Sequence, residues 1–286
     1  MIDLRATGRS RRRLLVNRAA EGAAVLAALL AVAALGVVVW SVGSRGAGAL
    51  SLDFFLKGPS SDFFGGGGGI APALAGSLLL VAVATAIALP VGVLTAIFVG
   101  EFASPGIGRQ IRLWLDVLNG FPSIVIGIFV YTLIDHQSAF AGGAALAIIM
   151  LPLVARSTME VLRLVPDHLR EASYALGVSR WQTVLRVVLP TSVGGILTGT
   201  TLAVARAAGE TAPLLFTCAI AGQVVDWNPA HSVQSIPLTI FLYSESADPA
   251  LHEQAWAGAF VLILFVLVTS LSARLLLERS RRRLQR

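Results

Sequence analysis

The chain has 286 residues, 56% of them hydrophobic and only 13% charged, with a mean hydropathy of +0.78. That balance excludes an ordinary soluble domain and points to an integral membrane protein. The net charge of +6 comes from arginines gathered at the termini and between apolar runs, and no basic face interleaved with aromatics offers a nucleic-acid surface. A single cysteine, Cys218, excludes an intrachain disulfide, and four scattered histidines lack paired metal-ligand spacing, so no metal or other cofactor is expected on this chain.

A helix needs about 20 apolar residues to cross about 30 Å of hydrocarbon. Six stretches meet that length, at residues 22–42, 74–99, 113–134, 138–155, 187–208 and 255–273. The expected fold is an all-α integral membrane protein with six transmembrane helices. An Arg-rich tail, residues 1–21, precedes the first helix, residues 22–43. Its apolar run exceeds the about 7–15 residues of a secretion-signal core and no cleavage site follows, so it is expected to remain.

In the loop of residues 44–71, five glycines at 65–69 read as a flexible turn into the second span. In the third span the run NGFPS places Asn119, Pro122 and Ser123 together; Pro122 removes one helical hydrogen bond and predicts a bend. Asn119 and Ser123 are candidates for lining a pathway. The two termini and the two loops on their side hold 19 of the 22 Lys and Arg residues, whereas residues 222–254 hold none. Both ends, including the basic tail 276–286, are therefore expected in the cytoplasm.

The fifth span carries the oddest charges. Between residues 187 and 225 only Arg206 and Glu210 are charged, and placing such a group at bilayer depth costs between about 2.5 and 17 kcal/mol. Arg206 lies about 28 Å along a helix entering near residue 187, hence towards the far half of the membrane. Its planar fork matches two oxygens of an oxyanion, a strongly hydrated solute that needs donors to replace its water.

Glu210 follows by four, so on a continuous helix the two would share one face. Arg preceding Glu is the less favourable order for a helical staple. Glu210 is accordingly read as neutralising Arg206 in an empty pathway and releasing it to an anion; the alternative is a buried ion pair holding helices together. Gly209 and Pro213 interrupt the run just beyond, as expected for a site or gate. Thr211 adds a hydroxyl there, whereas Thr200 and Thr201 are expected to bond their own backbone. Gly195 and Gly199, a GxxxG pair, are expected to mark close helix packing.

Between spans four and five lies VPDHLREASYALGVSRWQTVLRVVLP. Asp167 after Pro166 suits a helix start, and Gly177 suits the left-handed residue that ends one. Ala172, Ala175 and Gly177 keep the surface low enough for another protein to approach. The order Glu171-Ala172, Gly177, then Leu189-Pro190 resembles the EAA signature of permease subunits of bacterial ABC importers, with Ser173 in place of its second Ala. That resemblance implies a MetI-like permease fold over residues 70–275 and a coupling helix at 167–178, in which Glu171, Ala172 and Gly177 meet an ATPase. The only lysine, Lys57, does not belong to a phosphate-gripping GxxxxGK run, so ATP would be used by a partner subunit.

The runs LNGFPSIVIGIFVYT, EASYALGVSRWQTVLRVVLP and ARAAGETAPLLFT are similar to segments of the phosphate-specific importer's permeases, the last nearer the PstA type than the PstC type. The resemblance implies inorganic phosphate as solute and a homologous PstC-type permease as partner. It further implies two PstB-type cytoplasmic ATPases, an external PstS-type binding protein, and a place in the lipid bilayer of a bacterial plasma membrane. Another oxyanion, molybdate or sulfate, is the alternative within this class; a secondary carrier or channel is the alternative outside it.

Overall fold

A computed structural model describes residues 9–59, 68–219 and 224–284. The start of the N-terminal tail, glycines 65–67 of the expected flexible turn, the start of the 222–254 loop and the last two residues lie outside the described residues. Among the described residues every regular element is helical. The order is α1 (Arg9–Gly46), α2 (Leu52–Leu56), α3 (Ala71–Ile97), α4 (Pro105–Gly120), α5 (Ser123–Ile134), α6 (Ala139–Arg163), α7 (Asp167–Ala175), α8 (Arg180–Thr183), α9 (Leu189–Ala208), α10 (Leu214–Thr217), α11 (Ile236–Ser244) and α12 (Pro249–Leu284). Wide π-helical turns, Phe98–Phe102 and Val184–Val188, continue α3 and lead into α9.

Local chemistry sets the ends of these helices. Prolines open α3, α4 and α11, where a missing N–H costs no helical bond. Ser138 and Ser235 accept from the backbone N–H groups of Ala141 and Leu238 to cap α6 and α11. Two of α6's first amides find partners in the loop before α11, Ala139 donating to the His231 carbonyl and Phe140 to that of Pro229.

Five helical stretches are long and apolar enough to cross a membrane: Arg12–Ala49, Ala71–Phe102, Ala139–Arg163, Arg180–Ala208 and Pro249–Leu271. The third expected span is instead a pair, α4 and α5, meeting at 99°. The bend expected at Pro122 is thus a full break. Pro122 and the preceding Phe121 both leave the helical region, with ψ of 126° and 137°, because the proline ring disfavours helical backbone at the residue before it.

The packing fixes the course of this pair. Gly142 of α6 lies against Leu80 of α3, and Gly92 of α3 against Val154 of α6, so α3 and α6 run parallel and the chain must recross between them. The bent pair is that crossing. Small side chains let these helices approach, with Ala84, Ala88, Ala96, Ala147 and Ala155 all buried in or beside their contact. In lipid, where apolar burial between helices gains little, such close van der Waals contact is the main source of association. The expected Gly195 and Gly199 contact is α9 on α6, at Val161 and Ser157.

Two features fall outside the sequence reading. The loop before the last span contains α11, whose Ile236, Pro237, Leu238 and Thr239 are buried and whose first amide donates to Ser77 Oγ at 2.8 Å. The long α1 is exposed along its apolar length. Among the described residues it meets the bundle only near its end, where Gly43 and Gly46 lie on Phe260 and Trp256 of α12 and the Arg45 guanidinium sits 4.8 Å from the Trp256 ring centre.

Candidate functional site

The span carrying Arg206 ends at Ala208, so Arg206 occupies the last turn of α9, where a cation complements the helix dipole. Glu210 lies beyond the helix, its N–H bonded back to the Ala207 carbonyl. The two residues therefore do not share a helix face as expected, yet they meet. Arg206 Nε stands 3.7 Å from Glu210 Oε1, with the side chains 51% and 20% exposed. That separation is an ion pair without a hydrogen bond. Among the described residues no other helix supplies an ionic partner to either group. The half-exposed guanidinium has no hydrogen-bond acceptor among the described residues.

The break itself is held by α5. Pro213 opens the short α10, and the α5 backbone at Gly127 lies so close that a Cβ there would stand 2.6 Å from Pro213 Cα. Only glycine permits that approach. Ser123 begins α5, one turn before Gly127, and is half-buried. Asn119 is exposed on α4, beyond the 99° bend. No hydrogen bond or ion pair among the described residues links Ser123 or Asn119 to Arg206. Thr211 is half-buried beside Glu210, its carbonyl accepting from Leu214 N–H. Thr200 and Thr201 spend their hydroxyl protons on the Ile196 and Leu197 carbonyls, both at 2.8 Å.

The second region is the α7–α8 loop at the other end of α9. Gly177 takes φ +76°, the left-handed conformation that ends a helix. Leu169, Arg170 and Ser173 form the inner face of α7. Leu169 joins the cluster around Leu115, Leu162 and Val184, and Ser173 Oγ bonds Thr183 Oγ1 of α8 at 2.8 Å, both groups buried. The outer face presents Glu171, Ala172, Ala175 and Gly177, with Leu176 83% exposed. A Cβ at Gly177 would meet nothing within 4 Å, so this side is open to a partner.

Sequence reading missed two ionic features at this end. Arg170 and Glu101 pair 69 positions apart, Nη2 to Oε1 at 2.8 Å and only 15% and 6% exposed. The carboxylate bond raises the guanidinium pKa above its ordinary value, against the opposing pull of burial. Arg156 of α6 pairs with Asp116 of α4, and Arg112, Glu160 and Arg163 join them around a cavity of about 210 Å³. The spacing by four of Arg112 with Asp116, and of Arg156 with Glu160, is the signal that marks these residues as facing groups.

A bundle of helices long enough to cross a membrane, broken at a charged turn and bearing a short exposed helix at one end, is the architecture of a multi-pass membrane protein. Residues 88–286 match the family described as binding-protein-dependent transport system inner membrane component, and the chain belongs to that family. It is 40% identical over 246 residues to the phosphate transport system permease protein PstA of Haemophilus influenzae, covering 84% of this chain and 86% of that protein. To the protein of the same name in Xylella fastidiosa it is 39% identical over 277 residues, covering 95% and 96%. Among solved structures, the inward-facing MetNI methionine ABC transporter shares the fold with a TM-score of 0.58 at 18% identity, over 74% of this chain and 94% of that one.

Proposed function

We propose that this chain is the PstA-type permease of an ATP-driven phosphate importer and supplies half of its transmembrane pathway. One observation carries the reading: the likeness to phosphate permeases runs through nearly the whole chain, 95% of it in the Xylella fastidiosa case. The chemistry at the end of α9 agrees with it. Arg206 offers a half-exposed guanidinium whose only described ionic neighbour is Glu210 at 3.7 Å, so an oxyanion can compete for it without breaking a hydrogen bond. Glu210 balances the charge in the empty pathway. Thr211 and Ser123 add hydroxyl donors near the break, and Asn119 stands at the elbow of the bent span.

The permease domain spans residues 70–275, with both termini in the cytoplasm and the α7 outer face there too. Glu171, Ala172 and Gly177 are where one of two PstB-type ATPases engages. ATP is bound and used by that partner. A PstC-type permease completes the pathway, and a PstS-type protein delivers phosphate from outside.

The test is uptake of labelled phosphate by vesicles holding the co-purified complex, with molybdate and sulfate as competitors. Phosphate uptake that depends on ATP and resists both competitors is the expected result. Preferential uptake of either competitor reassigns the solute, and uptake without the ATPase overturns the importer reading. Arg206→Gln is expected to abolish uptake, at least a hundredfold, while the complex still assembles; a near-normal rate removes Arg206 from the pathway.

A further inference from the structure

Chain connectivity attaches the α7–α8 loop to α6 on one side and α9 on the other. Neither attachment reaches α3, the helix that runs beside α6 for its whole length. A third attachment does, built from side chains. We infer that the Arg170–Glu101 pair couples the loop to α3, so that displacement of α7 moves the end of α3 together with α6 and α9. The inference rests on the proposed reading of α7 as the point where a separate ATPase engages.

The guanidinium of Arg170 is fully committed. Nε and Nη2 donate to Glu101 Oε1 at 3.3 and 2.8 Å. Nη2 also donates to the Leu162 carbonyl at 3.0 Å, and Nη1 to the Val165 carbonyl at 2.7 Å and Asp167 Oδ1 at 3.1 Å. One side chain thereby ties together the end of α3, the last turn of α6 at Leu162, the link at Val165 and the first turn of α7. A planar fork can do this and a lysine ammonium cannot reproduce it.

Stability alone is a poor reason for the pair. Removing two charges from water costs about what their attraction returns, and a well-packed apolar pair commonly holds a fold as well. What the ionic pair adds is direction, because the bonds to one carboxylate oxygen specify the separation and orientation of two helices. Glu101 sits on the π-helical turn Phe98–Phe102, a widened geometry that concentrates at functional positions.

A second contact reaches the same turn from α8. The Phe102 ring lies 6.1 Å from that of Trp181, and the Arg180 guanidinium lies 5.4 Å from the Phe102 ring centre. The Ser173–Thr183 bond joins α7 to α8, so the loop grips α3 as one body from both of its helices. Arg170 and Glu101 are positioning residues in this scheme; neither touches solute or nucleotide.

The assembled complex in vesicles tests it through the ratio of ATP hydrolysed to phosphate taken up. Glu101→Gln, which keeps shape and removes charge, is expected to leave assembly and ATP hydrolysis in place while uptake falls at least tenfold, raising the ratio by that factor. Glu101→Asp, which keeps the carboxylate, is expected to retain more uptake than Glu101→Gln. An unchanged ratio in Glu101→Gln, whether both activities persist or fall together, overturns the inference, as does equal loss of uptake in Glu101→Asp and Glu101→Gln. The unaltered complex runs alongside: absence of phosphate uptake there counts against the proposed function, whereas normal uptake with an unchanged ratio counts against the coupling role alone.

Discussion

Gly127 shows how one missing side chain positions the candidate site. The break after α9 has few internal bonds of its own: Gly209 and Glu210 bond back to Arg206 and Ala207, and Leu214 to Thr211. Its placement depends on the α5 backbone lying directly on Pro213. A methyl group at position 127 would meet the Pro213 Cα and carbonyl oxygen at 2.6 Å, and backbone cannot step aside as a flexible side-chain end would. Overpacking of this kind costs about 1–3 kcal/mol. Gly127→Ala is therefore expected to lower both the melting temperature of the purified complex and phosphate uptake. Gly106→Ala, at a position where a Cβ meets nothing within 4 Å, is the matched control and should change neither. Equal behaviour of the two variants would detach α5 from the site.

Individual residues also show where sequence reading succeeds and where it stops. Arg206 and Glu210 stand out in sequence because they interrupt an apolar run, and composition alone exposes that. Their geometry does not follow from spacing, since Gly209 ends the helix between them and the i,i+4 rule applies only inside one. Ser173 reads as a small-for-small change within the Glu-Ala-Ala run; its bond to Thr183 depends on α8 folding back, which no local pattern encodes. Arg170 and Glu101 are each ordinary at a helix end, and only the fold brings them together across 69 positions.

At the scale of elements, hydropathy locates the long spans well because the bilayer imposes one length on each. It fails for α11, a helix of nine residues, Ile236–Ser244, too short to register as a span and hidden in a loop that lacks positive charge. It half succeeds for α4 and α5, where Pro122 signals a bend but its angle depends on what α5 lies against.

The α7 helix allows a sharper test, because its end is set by Gly177 at φ +76° with open space around it. A side chain there meets no neighbour, so its penalty is purely conformational, about 1–2 kcal/mol for an L-residue in the left-handed region. Gly177→Val is expected to loosen the turn, seen as faster exchange of the Val178 amide, which donates to the Ser173 carbonyl at 3.2 Å. Exchange in α3 and α6 should be unchanged. ATP hydrolysis linked to uptake should fall in the same variant, and unaltered coupling alongside a loosened turn would count against α7 as the docking helix.

For the whole molecule, the parallel course of α3 and α6 makes orientation a question of parity. If α4 and α5 together cross the membrane, α1 to α6 comprise four crossings and α7 returns to the side on which the chain begins. If the pair only dipped in and came back, α7 would face the opposite side. Cysteine labelling separates these cases with little background. The one native cysteine, Cys218, is fully buried, and a membrane-impermeant maleimide should leave it unmodified. Leu14, Leu176 and Trp227 are exposed on α1, after α7 and in the loop before α11. Substituted singly by cysteine, Leu14 and Leu176 are expected to react only once the membrane is opened, and Trp227 in intact cells. Reaction of Leu176→Cys from outside, with Leu14→Cys still protected, would mean that the bent pair does not cross. The parallel packing of Leu80 with Gly142 and of Gly92 with Val154 would then be wrong as well, since no other segment between α3 and α6 can carry the chain back.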